Sequence, residues 1–183
     1  MDFEIIKPAD IEKRSFAIIT EELGDRVFPE EIGLVVKRVI HTSADFDYAD
    51  NLVFSEGAVP RALEAIRNGA HIVTDTNMVK AGINKKTLAK FGGEVHCFVA
   101  DADVAEEAKQ RGVTRSTVSM ERAAKLDVPV IFAIGNAPTA LIELDRLMRE
   151  QDLKPELIIG VPVGFVNVVE SKELILQSQA PHI

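Results

Sequence analysis

The chain has 183 residues, a length that fits one domain with a single substantial core. Its formal net charge of −8 argues against general binding of nucleic acid or of anionic membranes. No apolar run is long enough to cross a bilayer, and residues 1–7 lack the pattern of a signal peptide. The single cysteine, Cys97, excludes an internal disulfide and a cysteine-built metal site, so we expect a cytoplasmic protein.

The N-terminal part of the chain predicts two helices. In the first helix, one face carries Ile11, Ile18, Ile19 and Leu23. The second helix begins at Pro29, and its apolar residues follow the helical spacing i, i+3, i+4, i+7, i+8: Ile32, Val35, Val36, Val39 and Ile40.

From about residue 51 the pattern changes to short apolar runs that alternate with helical patterns. The runs predict five strands, at 52–54, 71–73, 95–99, 130–134 and 157–159. Helices are expected near 58–68, 84–91, 102–111, 116–127 and 137–151, and glycines suited to end helices stand at Gly69, Gly92 and Gly112. This alternation predicts an α/β fold: a flavodoxin-like, doubly wound, parallel five-stranded sheet with helices on both faces, plus two N-terminal helices.

Unusual segments follow three of the predicted strands, at 74–78, 135–139 and 160–165. Ligands of open parallel sheets bind beyond the carboxyl ends of the strands, so these segments are candidate binding loops. Asn136 is suited to cap the helix that Pro138 helps to start. Either this is a tight turn only, or free amides at the helix start bind a carboxylate. The glycine-rich segment 160–165 suggests a backbone that passes close to a flat ligand.

The common catalytic motifs are missing from the sequence. There is no phosphate-binding loop, dinucleotide fingerprint, zinc-hydrolase H-E-x-x-H or G-x-S-x-G motif. Of the four histidines, His71 and His96 fall in predicted strands and are interpreted as structural, and His182 falls in a C-terminal tail. His41 ends the second helix, off its apolar stripe, and is either a solvent-facing residue or a general acid–base group.

Seven segments that together span nearly the whole chain are distinctive: 14–19, 38–41, 74–79, 114–116, 133–141, 160–166 and 170–172. Together they are similar to the precorrin-8X methylmutase family, and the chain is interpreted as one domain over residues 1–183. The resemblance implies an isomerase of cobalamin biosynthesis that needs no cofactor. Such an enzyme moves a methyl group between adjacent ring carbons of precorrin-8 or cobalt-precorrin-8, giving hydrogenobyrinate or cobyrinate.

The resemblance also implies site residues. His41 corresponds to the family's acid, and Ser15 and Arg38 correspond to substrate contacts. Because a corrin-type tetrapyrrole carries many carboxylates, which cations and helix N-termini bind, we expect further substrate contacts. They are Thr42, Asp75, Arg115, Ser116, Asn136, Gly164 and Lys172. No metal ligands are expected.

The family forms homodimers with the active site near the subunit interface, so the resemblance implies a homodimer. Family members generally continue beyond residues 181–183, and the chain is expected to be short at its C-terminus. Two other functions stay open. One is a catalytically weak protein that binds or carries a corrinoid intermediate, and the other is a generic phosphate or nucleotide binder.

Overall fold

A computed structural model describes residues 5–183; residues 1–4 of the N-terminal stretch assessed for a signal peptide lie outside the described residues. The chain divides into two compact units, and the boundary falls between Val53 and Phe54. This boundary coincides with the change of sequence pattern near residue 51. None of the helices within residues 5–183 combines the length and apolar character that crossing a membrane requires.

The first unit is helical, and both predicted N-terminal helices are confirmed. A short 3-10 turn at Pro8–Asp10 leads into α1 (Ile11–Leu23), α2 (Glu30–Ser43) and α3 (Tyr48–Asn51). Ile19 of α1 and Val36 and Ile40 of α2 are buried, as their spacing predicts. Ile11 and Ile18 remain 51% and 42% exposed, so the predicted apolar face of α1 is wrong at these two positions.

The second unit is a parallel α/β domain. Its strands are β1 (His71–Thr74), β2 (Val95–His96), β3 (Val130–Ile134) and β4 (Leu157–Gly160). Its helices are α4 (Ala58–Arg67), α5 (Asn77–Gly82), α6 (Lys85–Leu88), α7 (Ala102–Arg111), α8 (Arg115–Ala123), α9 (Pro138–Gln151) and α10 (Val168–Gln177). The strand order is β2-β1-β3-β4, and every pairing is parallel. The order of the strands therefore reverses between β1 and β3.

Helices cover both faces of the sheet. Because alternate strand residues point to opposite faces, β1, β3 and β4 each contribute to two cores. The larger core joins strand residues to α8, α9 and α10 and includes Val73, Phe132, Ile134, Ile158, Met120, Leu144 and Ile175. On the opposite face, Ile131 and Leu157 pack with Ala58 and Ala65 of α4. The predicted parallel sheet with helices on both faces is confirmed.

The prediction of five strands is wrong, because the sheet has four. The apolar run 52–54 has no strand conformation. The edge beyond β4 is occupied instead by residues 181–183. The amides of Ile158 and Gly160 donate to the carbonyls of Pro181 and Ile183, both at 2.8 Å. A strand needs a neighbouring backbone with free hydrogen-bonding groups, and the C-terminal residues already use those of β4.

His182 is part of this sheet edge and not of a tail, contrary to the sequence interpretation. It is 7% exposed and forms a parallel bridge with Ile158. Its amide donates to the Ser55 hydroxyl at 2.8 Å, and the Ser55 amide donates to the His182 carbonyl at 2.9 Å. Ser55 therefore provides hydrogen-bond partners for the backbone amide and carbonyl of His182 that do not face β4.

Three helices were not predicted: α3, α5 and α10. The segment 170–172, which is part of the family resemblance, lies within α10. The predicted helix-ending glycines are confirmed. Gly92 and Gly112 are the C-terminal cap residues of helical segments, with φ of 86° and 66°. Gly69 directly follows Asn68, the cap residue of α4, and has φ of 85°.

Candidate active site

His41 lies in the last turn of α2 and is half-buried. Its imidazole stacks on the Phe16 ring of α1, with centroids 5.6 Å apart and planes 17° apart. The next residue, Thr42, donates its hydroxyl to the Arg38 and Val39 carbonyls, both at 2.9 Å. The helix ends at Ala44, which has left-handed φ of 55°. The stack on Phe16 therefore restricts the orientation of the predicted acid within the first unit.

Arg38 lies one turn before His41 and contacts the same aromatic ring. Its guanidinium carbon is 4.8 Å from the Phe16 centroid. Both terminal nitrogens donate to the Glu12 carboxylate, at 2.9 and 3.0 Å. Arg38 already binds a carboxylate in the bidentate geometry that a substrate carboxylate would require. The sequence analysis missed Glu12, which is 26 residues away from Arg38 and has no local signal.

The Arg38–Glu12 pair is electrostatically favourable and open to solvent. The hydrogen bonds and charge of Arg38 hold the pKa of Glu12 below its usual range, and His41 acts weakly in the same direction. The hydrogen bond from Glu12 raises the pKa of Arg38 in turn. The two side chains are 52% and 61% exposed, so another carboxylate can compete with Glu12 for the guanidinium.

The predicted contact Ser15 lies on α1, half-buried, between Glu12 and Phe16 in sequence. Its hydroxyl donates to the Ile11 carbonyl at 3.0 Å. Like Thr42, it is therefore satisfied within its own helix, and its oxygen keeps acceptor capacity for a ligand.

In the second unit, Asp75 follows β1 and orders the loop that follows β3. Its carboxylate is 1% exposed and accepts the amides of Gly135 at 3.1 Å, Asn136 at 2.7 Å and Ala137 at 2.6 Å. The prediction that the Asn136 side chain caps α9 is wrong. The cap residue of α9 is Ala137, and it makes no side-chain hydrogen bond to the start of the helix. The amides at 135–137 are not free for a ligand carboxylate, since a buried carboxylate of the chain itself satisfies them.

Close packing brings further loops to this edge of the sheet. A Cβ on Gly135 would lie 2.8 Å from Cγ2 of Val79 in α5, so only glycine fits there. The hydroxyl of Thr114, which caps α8, donates to the Thr139 hydroxyl at 3.2 Å. The structure therefore brings the segments around Asp75 and Asn136 together and joins them to the start of α8.

The remaining predicted contacts occupy the starts of α8 and α10. Arg115 is exposed at the first position of α8, and Ser116 beside it is 8% exposed. Gly164 lies in the exposed loop after β4 with φ of 136°, and Lys172 is half-buried on α10. Within residues 5–183, the side chains of Arg115 and Lys172 form no hydrogen bond or ion pair. Among the described residues, no hydrogen bond or ion pair joins Gly164 or Lys172 to the other predicted residues of this unit.

One further group of polar side chains lies on β1 and β2. His71 Nδ1 and His96 Nε2 are 2.8 Å apart, and their rings stack with centroids 5.0 Å apart. Burial lowers the pKa of His96, and His71 and Lys80 lower it further, while Glu94 opposes them. The potential ligand atoms of His71, Glu94 and His96 all lie within 4.8 Å of one another. Within residues 5–183, this is the group of histidine, cysteine and carboxylate side chains whose atoms lie close enough together for one metal ion.

The fold and these residues define a class: a parallel α/β protein with exposed cations suited to an anionic ligand. The family model for precorrin-8X methylmutase matches residues 10–183. The cobalt-precorrin-8 methylmutase of Priestia megaterium is 47% identical, over 97% of this chain and 79% of that protein. The protein of the same name from Leptospira interrogans is 43% identical, over 92% and 77%.

The structural comparison agrees with the sequence comparison. The precorrin-8X methylmutase of Thermus thermophilus superposes with a TM-score of 0.85 at 38% identity, covering 94% of this chain and 85% of that one. The chain belongs to the precorrin-8X methylmutase family and is an isomerase of cobalamin biosynthesis.

Proposed function

We propose that this isomerase converts cobalt-precorrin-8 into cobyrinate by moving one methyl group between adjacent ring carbons. The observation that carries the proposal is the 47% identity to a cobalt-precorrin-8 methylmutase over 97% of the chain. A second relative with the same name, at 43% identity, favours the cobalt-containing substrate over the metal-free one. In either case cobalt belongs to the substrate.

His41 is the proposed proton donor. Protonation of a ring nitrogen of the substrate makes the conjugated ring system more electron-poor and eases migration of the methyl group. One acid and an orienting pocket therefore suffice. Histidine is the side chain whose ordinary titration range spans neutral pH. Stacking on Phe16 supports the role, since it limits rotation of the imidazole. A proton donor with few accessible orientations loses less entropy when it reaches the transition state.

The substrate's carboxylates are proposed to bind exposed cations. Arg38 exchanges Glu12 for a substrate carboxylate, and the similar geometry of the two partners keeps this exchange inexpensive. Arg115 and Lys172 are without ion pairs among residues 5–183 and take further carboxylates. The hydroxyls of Ser15 and Thr42 reorient to donate to a substrate carboxylate.

The loops of the second unit complete the proposed substrate contacts. Asn136 is exposed and presents its side-chain amide to the substrate. Gly164 allows the backbone of its loop to approach the substrate closely. Ser116 is 8% exposed and contributes through the start of α8. Asp75 acts as a positioning residue, because its carboxylate is buried and bound to the amides of 135–137. Its effect on the substrate is therefore through the loop that holds Asn136.

Incubation of the purified chain with cobalt-precorrin-8 and, separately, with precorrin-8 tests the function by absorption spectroscopy. We expect conversion of the cobalt form to the product spectrum. His41→Ala should still bind substrate and lose about 100-fold or more of kcat, the range typical of general acid catalysis. Ser43→Ala, at the same end of α2, is the matched control and should keep full activity.

The same experiment separates the alternatives. Undiminished turnover by His41→Ala would remove that residue from the mechanism. A wild-type chain that binds the corrinoid stoichiometrically without converting it would be a carrier protein. Stabilisation by nucleotides and not by corrinoids, measured as a shift in melting temperature, would favour a nucleotide binder.

We further infer that the protein acts in the cytoplasm as a homodimer, as the resemblance implies, and that its sheet is a flavodoxin-like one. The order β2-β1-β3-β4 equals the first four positions of the flavodoxin order. Residues 181–183 pair with β4 where the fifth strand of that order would lie.

A further inference from the structure

We propose that His71, Glu94 and His96 form a binding site for a divalent transition metal ion such as Zn²⁺. Two imidazoles and one carboxylate are a ligand set that this class of ion favours. The residues are brought together by the pairing of β1 with β2, in which Ile72 is the partner of Val95 and Val73 of His96. Since side chains alternate along extended backbone, Glu94, which directly precedes β2, and His96 lie on the same face of the sheet.

The distance between the two rings suits a metal after a small movement. His71 Nδ1 and His96 Nε2 are 2.8 Å apart, so one nitrogen must donate a proton to the other. Two nitrogens bound to one tetrahedral Zn²⁺ are roughly 3.3 Å apart, given bond lengths of about 2.0 Å. If the two rings move apart by a few tenths of an ångström, a metal ion can therefore replace the proton that the two nitrogens share.

The carboxylate and the partial exposure of the group complete the argument. Glu94 is exposed, while both histidines are half-buried, so an ion can enter from solvent on the Glu94 side. Three protein ligands leave one tetrahedral position for water. His96 also stacks on Phe98, with centroids 5.8 Å apart, which holds the ring in place.

The site has a structural consequence for the sheet. β2 has only two residues, and its pairing with β1 is correspondingly short. A metal ion bound by His71 of β1 and by His96 of β2 would link this edge strand to the rest of the sheet. Binding to the folded state alone raises the melting temperature as the metal concentration rises. Lys80 lies close enough to interact with His96 and opposes a second positive charge.

Titration of ZnCl₂ into the metal-free full-length chain, followed by calorimetry, tests the site. We expect one ion per chain, and a loss of affinity of about tenfold or more in His71→Asn and in His96→Asn. Glu94→Gln should weaken binding by a smaller factor, and Lys80→Gln should tighten it. His41→Asn and Glu56→Gln are the matched controls, because they remove a histidine and an exposed glutamate outside the group; both should bind as the wild type does.

A second readout does not depend on the histidine variants folding. Co²⁺ added to the wild-type chain should give visible absorption bands of a nitrogen-bound ion. Histidine side-chain NMR should then show metal-dependent changes at two imidazoles, those of His71 and His96. The proposal is overturned if millimolar Zn²⁺ gives neither heat nor a higher melting temperature. It is equally overturned if His41→Asn abolishes binding or if other histidines show the NMR changes.

Discussion

Phe16 contacts both of the charged or titratable side chains that the family resemblance assigns to the first unit. His41 stacks on its ring, and the Arg38 guanidinium lies 4.8 Å from its centroid. One aromatic residue thereby restrains both the proposed acid and the proposed carboxylate-binding cation, which lie one turn apart on α2. At the scale of the residue, the candidate site of the first unit therefore depends on the orientation of His41 and Arg38 as well as on their charge.

Replacement of Arg38 by lysine tests that dependence. Lysine keeps the positive charge but has no planar fork for a carboxylate and stacks less well on an aromatic ring. We expect KM for the corrinoid substrate to rise about tenfold, equivalent to about 1.4 kcal/mol, with kcat little changed. Steady-state kinetics would measure both parameters.

Arg26 offers a matched control for this substitution. It forms a bidentate pair with Asp50 in the same unit, at 2.9 and 3.2 Å, and no role in substrate binding is proposed for it. Arg26→Lys should leave KM unchanged. Equal KM values for the two variants would show that the guanidinium of Arg38 does not hold the substrate.

At the scale of the element, Asp75 joins the end of β1 to the start of α9. Asp75→Asn removes the charge and turns one acceptor into a donor that faces backbone amides. We expect the free energy of unfolding to fall by about 2–3 kcal/mol, since buried amides lose a charged partner. Urea unfolding at neutral pH would measure it.

The control for Asp75 is an exposed aspartate with a single backbone partner. Asp45 accepts the Asp47 amide at 2.9 Å on the surface of the first unit. Asp45→Asn should cost no more than about 0.5 kcal/mol. A loss of similar size in both variants would refute the argument that the loop after β3 depends on Asp75.

Glu121 links three helices of the second unit and predicts a pH dependence. It accepts from Arg111 of α7 at 2.5 and 2.7 Å and from Arg146 of α9 at 3.3 Å. The Arg111 hydrogen bonds lower the pKa of Glu121, and burial opposes this. Because the folded pKa is depressed, the stabilisation is fully present above the ordinary carboxyl range and is lost as the pH falls through the folded pKa.

Urea unfolding of Glu121→Gln at several pH values tests the link. The variant should be about 1 kcal/mol less stable than the wild type at neutral pH, a figure that allows for solvent screening. The difference should vanish in acid, where Glu121 itself is protonated. Glu107→Gln removes a more exposed partner of the same Arg111 and should cost less. A difference that persisted in acid would assign the loss to packing instead of charge.

At the scale of the whole molecule, the homodimer proposed above can be tested through exposed apolar residues. Leu34 is 60% exposed on α2, on the side that carries Arg38 and away from the buried stripe. Large apolar groups exposed in this way mark interaction surfaces when they are grouped. Light scattering should give twice the chain mass of 20.0 kDa.

Leu34→Glu should shift the equilibrium between monomer and dimer towards the monomer, because the new charge would lose its water in the interface. Leu63→Glu is the matched control: its side chain is 41% exposed on α4, and the variant should stay dimeric. A monomeric wild type would contradict the proposed oligomeric state directly.

Local pattern was sufficient for much of this molecule. The runs at β1, β3 and β4 have β-branched residues between polar or glycine boundaries, and α2 and α7 have helical spacing, so each was predicted close to its observed bounds. The family segments likewise point to His41 and Arg38 without any structure. In these cases the information lies within a few residues of chain, where periodicity and capping act.

Other features depended on partners far away in the chain, and only the tertiary structure decided them. The run 52–54 is as apolar as the strands but pairs with none of them, and residues 181–183 occupy the edge beyond β4. The partners of Asp75 are 60 to 62 residues away, and His71 meets His96 over 25 residues. The sequence by itself determined most of the elements and the family, because these follow from local pattern. The sheet edge and the binding partners of buried or charged side chains followed only from the folded chain, because a hydrogen bond between distant residues leaves no mark on either segment alone.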